Sequence, residues 1–300
     1  MEDNFKIDFI GIGVTKSGTS WLTHMLGQHP DICVSELKEV CYFNREMNLS
    51  AKYHYKKRQG PFINKDHTKP LTWYQKHFQH CKKGQIVGEY SPVYFYDKRA
   101  PLAIKETFPR VKLIVALRNP IDRAYSEYWM LRSSFRIEDR SFEEALQEKD
   151  VVYVEKGMYY KHLKVYLSLF DKNQIKVIFY DDIKKRPEAV IKDLYRFLEV
   201  DDSFIPLNIR DKANYAKASR IRVGVVMMNS IVKILVRVKM AFLVRFLRRL
   251  KINKLLLKII STKLEYPPMR PETRAYLGDI FYNDIKNLET ELGIDLSHWL

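Results

Sequence analysis

The 300-residue chain predicts an α/β fold of three layers, a mostly parallel sheet flanked by helices. Two observations carry that prediction. Short apolar runs alternate with helical patterns along most of the chain, and the first run enters its helix through a loop rich in glycine and hydroxyl side chains.

Ile7 to Ile12 reads as a strand, followed by the turn Gly13 to Gly18 and a helical pattern from Thr19 to Gln28. Gln85 to Gly88 and Lys112 to Leu117 read as further buried strands, with helices over Ala100 to Phe108 and Ile121 to Leu131. Gln174 to Tyr180 is a further β-rich run between helical patterns at Tyr159 to Phe170 and Pro187 to Leu198, where Pro187 suits a first helical turn. Strand-helix alternation argues a parallel sheet covered on both faces. The length suits one domain over residues 1–300, with an irregular insertion at 48–83 beside the mouth of a site and a basic helical segment at 223–263.

Three cysteines, Cys33, Cys41 and Cys81, share no metal-ligand spacing and are odd in number. They suggest neither a zinc site nor a disulfide framework, and fit a reducing compartment. The acidic start MEDNFKIDF is unlike a secretory signal, and the charge-free run Val223 to Val232 falls short of the ~20 residues that span a bilayer. A cytoplasmic protein, soluble or peripheral at a membrane, is expected.

The net charge of +16 is concentrated, since Lys212 to Leu264 holds fourteen lysines and arginines and no acid. Apolar and basic residues alternate helically over 223–260, as in an amphipathic helix that sits on an anionic bilayer. A solvated helix pair covering the sheet is the simpler reading, and attraction of an anionic glycan is a third. A module binding nucleic acid or membrane through this segment alone is a competing class, and no specific nucleic-acid partner is expected.

The loop Gly13-Val14-Thr15-Lys16-Ser17-Gly18-Thr19-Ser20 sets a lysine and hydroxyls at a helix start, where backbone amides and the helix dipole favour an anion. A nucleoside-triphosphate loop would end in Gly-Lys-Ser/Thr, but Gly18 is followed by Thr19 and the lysine comes two residues earlier, which argues against a Mg²⁺-dependent kinase. Taken alone, the loop is also consistent with a helix whose free amides Ser17 and Thr19 cap. A second motif decides between them: the strand at 112–117 runs into Arg118-Asn119-Pro120-Ile121-Asp122-Arg123-Ala124-Tyr125-Ser126. Arg118 at a strand's carboxyl end can fork onto a phosphate, and Ser126 two turns later can reach the same anion. A salt bridge from Arg118 to Asp122 is the bland alternative.

Together these two stretches resemble the sulfotransferases that use 3′-phosphoadenosine 5′-phosphosulfate (PAPS), with the P-loop type of nucleotide-binding fold. Thr-Lys-Ser-Gly-Thr-Ser-Trp is similar to that family's 5′-phosphosulfate loop and Leu-Arg-Asn-Pro-Ile-Asp-Arg-Ala-Tyr-Ser to its 3′-phosphate motif. The likeness extends through Gly157 to Tyr159, Val177 to Leu198 and Tyr266 to Trp299, and is closest to the carbohydrate and heparan-type branch and bacterial sulfotransferase domains. It implies that Lys16, Ser17, Gly18, Thr19 and Ser20 grip the 5′-phosphosulfate, that Arg118 and Ser126 hold the 3′-phosphate, and that Trp21 packs beside the nucleotide. A basic loop after Asn208 would close on the 3′-phosphate, with Lys217, Ser219 and Arg220 as candidates.

Sulfuryl transfer resembles phosphoryl transfer, so positioned cations and one base are needed, without a metal. Lys16 is the expected catalytic cation. In the glycan-modifying branch a glutamate before an apolar-x-aromatic tail serves as base, which points to Glu39 in Glu36-Leu37-Lys38-Glu39-Val40-Cys41-Tyr42-Phe43, with Lys38 beside the sulfate. The competing base, a histidine after a mid-chain strand, has no counterpart in Gly88 to Phe95, where Tyr90 and Tyr94 are candidates for contacts to the acceptor. His54, His67, His77 and His80 are read as surface groups outside the site. A glutamate base favours a sugar hydroxyl or amine, so the expected acceptor is a glycan or glycoconjugate, with a lipid or small alcohol second.

Overall fold

The computed structural model describes residues 5–44, 69–135, 138–147, 152–210 and 266–300. The chain clusters into two compact units, one of Met1–Tyr128, Arg140–Ala213 and Met269–Leu300, the other of Trp129–Asp139 and Asn214–Pro268.

The larger unit holds a five-stranded, wholly parallel sheet flanked by helices, in the order β2-β3-β1-β4-β5. Its strands are β1 Phe9–Gly13, β2 Ile32–Val34, β3 Ile86–Tyr90, β4 Lys112–Leu117 and β5 Ile175–Phe179. The helices are α1 Thr19–Leu26, α2 Leu71–Gln75, α3 Ala100–Thr107, α4 Pro120–Trp129, α5 Phe142–Leu146, α6 Val152–Glu155, α7 Tyr159–Leu167, α8 Tyr180–Lys185, α9 Pro187–Leu198 and α10 Pro271–Leu292. The expected strands and helices are present, with ends moved by a residue or a few.

The sequence explains why α1 and α9 cover the sheet. Val190, Ile191, Leu194, Tyr195 and Leu198 recur at three- and four-residue intervals on α9 and bury with Trp21, Leu22, Met25 and Leu26 of α1 against Phe9, Ile114 and Ile178. Each such aliphatic side chain contributes about 1.5–3 kcal/mol by leaving water. Elsewhere the Phe95 ring stacks on Tyr166 at 6.1 Å, and the carboxylate of Asp284 on α10 accepts from the Tyr160 and Lys161 amides at 2.9 and 3.1 Å, capping α7.

Strand order positions the site. From β1 the chain crosses to β2 and β3 on one side, then to β4 and β5 on the other, so β1 and β4 are neighbours that feed opposite halves of the sheet. Ligands bind at the carboxyl ends of strands at such a switch point. Val14 N donates to Ala116 O at 2.9 Å, so the loop leaving β1 and the residues leaving β4 lie side by side.

Three expectations change here. Cys33 and Cys81 are joined in a disulfide, so the reading of the cysteines as unbridged, and the inference of a reducing compartment from it, do not hold. The partners are 48 residues apart and meet because β2 pairs with β3 in parallel, a tertiary relation that counting cysteines does not reveal. Second, the described end of the supposed irregular insertion is structured: α2 and a 3₁₀ turn at Lys76–Phe78 bury Tyr74 and Phe78. Third, α10, which no strand-helix pattern announced, completes the aromatic core with Phe281, near Gly157.

In the smaller unit, a π-helical turn covers Met130–Phe135, Arg132 Nη1 donates to Asp139 O at 3.0 Å, and the Trp129 and Tyr266 rings stack at 5.0 Å. The basic segment 223–263 lies outside the described residues. Among the described residues no helix is long and apolar enough to cross a membrane.

Candidate active site

The loop after β1 is shaped by glycine. Gly18 caps α1 with φ +87°, a left-handed conformation open to glycine, and its carbonyl accepts from Trp21 N and Leu22 N at 2.9 and 3.0 Å. Gly11 lets Tyr90 lie directly on β1, for a Cβ there would stand 2.1 Å from the ring.

Lys16 also has left-handed backbone, at φ 71°, and Arg118 Nη1 donates to its carbonyl at 3.1 Å. The loop is thereby fixed from the end of β4. Arg118 does not pair with Asp122, which instead binds Arg274, and among the described residues no carboxylate is ion-paired with Arg118. Its guanidinium lies over the Tyr180 ring at 4.9 Å, and Tyr159 Oη donates to its carbonyl at 2.8 Å. Burial, then the Arg118 charge, lowers the Lys16 ammonium below its ordinary pKa.

Beneath the loop lies a buried ion network. Glu127 accepts from both Arg123 and Lys156, Arg123 also donates to Tyr153 O, and all three charged residues are almost fully enclosed. Burial pushes the Glu127 carboxyl up, but Lys156 and Arg123 outweigh it and hold its pKa down to about 2. Two cations against one anion leave a net positive charge, and both Arg123 and Glu127 act on the Lys16 ammonium. The Arg123/Glu127 spacing of four on a helix was readable as a pair; Lys156 carried no local signal.

The phosphate loop leaves a polar group for an anion to satisfy. Ser17 Oγ is fully buried with no hydrogen-bond partner among the described residues, directly before the α1 amides. An orphaned buried hydroxyl costs about 1–3 kcal/mol unless a ligand satisfies it. An anion on the loop would do so, with Lys16 and Arg118 supplying charge.

Glu39 lies on the loop after β2. Lys38 Nζ is 2.6 Å from Ser20 Oγ, to which it donates, and 3.9 Å from Glu39 Oε1. The Glu39 carboxyl is 28% exposed, and burial raises its pKa against the opposing pull of Lys38. Its φ of 61° is left-handed, as is the 54° of Cys41, a strained path held by neighbours. Cys41 N donates to Ser91 Oγ at 3.0 Å and Phe43 N to Tyr94 Oη at 3.4 Å. Behind them the buried Glu89 accepts from Ser91, Tyr94 and Tyr74 hydroxyls at 2.6, 2.7 and 3.0 Å. Burial raises its carboxyl pKa while those hydrogen bonds act against the rise. This scaffold was not anticipated.

The other sequence-predicted residues are placed as follows. Tyr90 is 2% exposed with its hydroxyl on Gly13 O at 2.8 Å, and Tyr94 is fully buried in the Glu89 network. Trp21 packs in the core and donates to Ile209 O at 3.1 Å. Thr19 is buried at the start of α1, and Ser126 is half-buried on α4. Lys217, Ser219 and Arg220 lie outside the described residues, as do His54 and His67.

The family model for the sulfotransferase domain matches residues 6–218, which contain the loop, the Arg118 motif and Glu39. The chain belongs to that family. Among its sulfotransferase relatives, the membrane-associated sulfotransferase kil1 of Dictyostelium discoideum is 23% identical over 296 residues, covering 67% of this chain and 59% of that protein. Heparan sulfate glucosamine 3-O-sulfotransferase 3B1 of Mus musculus is 29% identical over 195 residues, covering 62% of this chain and 44% of that protein. The chain thus spans about half the length of the curated relatives it matches. A solved sulfotransferase from Alicyclobacillus acidocaldarius shares the fold, with a TM-score of 0.70 at 24% identity over 99% of each chain.

Proposed function

We propose that this chain, acting as one domain, is a sulfotransferase that moves a sulfuryl group from PAPS to a hydroxyl or amine of a carbohydrate or glycoconjugate. The observation that carries the reading is the placement of Lys38 between Ser20 of the phosphate loop and Glu39, at 2.6 and 3.9 Å. It sets a carboxylate base beside the end of the loop where transfer would occur.

When bound, the donor supplies a sulfuryl group whose bond to the nucleotide phosphate breaks as the acceptor oxygen or nitrogen bonds to sulfur. Lys16 and the α1 amides hold negative charge at the loop, and Lys38 adds a cation at Ser20. Arg118, fixed on Lys16 O and Tyr180, holds the 3′-phosphate together with Ser126. Glu39 takes the acceptor proton, and its raised pKa makes it a stronger base than an exposed glutamate. The glycan class rests on the glutamate base and on the heparan sulfate enzyme among the relatives.

Screening oligosaccharides, glycolipids and phenols with labelled PAPS tests this reading. Transfer to an oligosaccharide, lost in Glu39→Gln, is expected. Transfer only to phenols or lipids, or full activity in the variant, contradicts it.

A further inference from the structure

Cys33 lies on the edge strand β2, beside the segment that carries His80 and Cys81. Cys33 Sγ is 3.4 Å from His80 Nε2, and the two sulfurs and an imidazole nitrogen all lie within 4.8 Å of one another. We propose that this cluster is a redox-gated site for a thiophilic divalent cation of the zinc type, closed while Cys33 and Cys81 are bonded and open when they are reduced.

The chemistry of the donors argues for it. Two thiolates and an imidazole are a set that suits Zn²⁺. Metal–sulfur bonds of ~2.3 Å and metal–nitrogen bonds of ~2.0–2.1 Å place tetrahedral ligand atoms roughly 3.4–3.8 Å apart. The Cys33–His80 separation of 3.4 Å is already close to that range, and the sulfurs must part on reduction. His80 is exposed and Cys81 half-buried, so reductant and cation reach the site from solvent, and water completes the fourth position.

The steps balance. A dithiol reductant gives two electrons and two protons to the bridge and becomes a disulfide, while the Cys33–Cys81 bond breaks to two thiols. The cation then forms two metal–sulfur bonds as both thiol protons pass to solvent, and His80 binds through Nε2 with its proton on Nδ1. In the closed state His80 Nε2 lies 3.1 Å from Val34 O, a contact it exchanges for the metal.

The site sits beside the catalytic loop without belonging to it. Val34 leads directly to Ser35–Glu39, and Glu36 N donates to His77 O at 3.0 Å on the segment that carries His80 and Cys81. Either the disulfide or a bound cation would tie these two segments together.

Cobalt(II) titration of the full chain, reduced with a phosphine and desalted without air, tests the proposal. Thiolate-to-cobalt charge-transfer absorption saturating at one equivalent is expected, with none in the oxidised protein, loss of the band in Cys81→Ser, and affinity lowered more than about 100-fold in His80→Ala, beyond the 10–100-fold of outer-shell changes. Absence of the band in the reduced protein, or unchanged affinity in His80→Ala, overturns it. If reduction unfolds the chain, cobalt that restores the helical circular dichroism supports the site, and cobalt that leaves it unfolded overturns it.

Discussion

Lys38 donates from Nζ to the Ser20 hydroxyl at 2.6 Å, which ties the loop that carries Glu39 to the first turn of the phosphate-loop helix. The proposed base and the phosphate loop are thereby joined through Lys38, and the consequences are measurable.

Glu39→Gln should bind adenosine 3′,5′-bisphosphate as the wild type does and lose about 10²–10⁴-fold in kcat. Burial raises the Glu39 pKa, and the base works only when ionised, so activity is lost as pH falls through a midpoint above the ordinary glutamate value of ~4.3. A pH–rate profile should show that acid limb in the wild type, at a midpoint higher than for an exposed glutamate.

Lys16→Ala should lower kcat about 10²–10³-fold by removing a positioned cation. Single-turnover kinetics should place the loss in the transfer step.

Tyr94→Phe removes one donor to Glu89 and the acceptor for Phe43 N, leaving buried groups unsatisfied. Urea unfolding should show a loss of about 1–3 kcal/mol. Turnover should fall through a displaced Glu39 while nucleotide affinity holds.

Glu127→Gln leaves Arg123 and Lys156 buried without their counter-charge, and chemical denaturation should register about 3–5 kcal/mol of destabilisation. The Glu127 pKa is depressed to about 2 in the folded protein, so its stabilisation is full above the unfolded value of ~4.3 and is lost as pH falls through 2. Between about pH 4 and pH 2 the variant should therefore lose stability less steeply than the wild type.

The local parts of this account were legible in the sequence. Lys16 and Arg118 sit in loops after apolar strands, and the strand order then brings Arg118 onto the Lys16 carbonyl. What was not legible depends on distant contacts. The burial of Tyr90 against Gly11 and of Tyr94 in the Glu89 network has no local signal. Lys156 reaches Glu127 across 29 residues, and Cys33 meets Cys81 only once β2 and β3 pair.

Calorimetry with adenosine 3′,5′-bisphosphate, with and without Mg²⁺, on the wild type and Arg118→Ala separates a 3′-phosphate site at Arg118 from a triphosphate-and-magnesium loop. Metal-independent binding is expected, requiring the 3′-phosphate and weakening roughly 10–100-fold in the variant, the size of one charged hydrogen-bond contact. No binding, or a Mg²⁺-dependent preference for ATP, would contradict it.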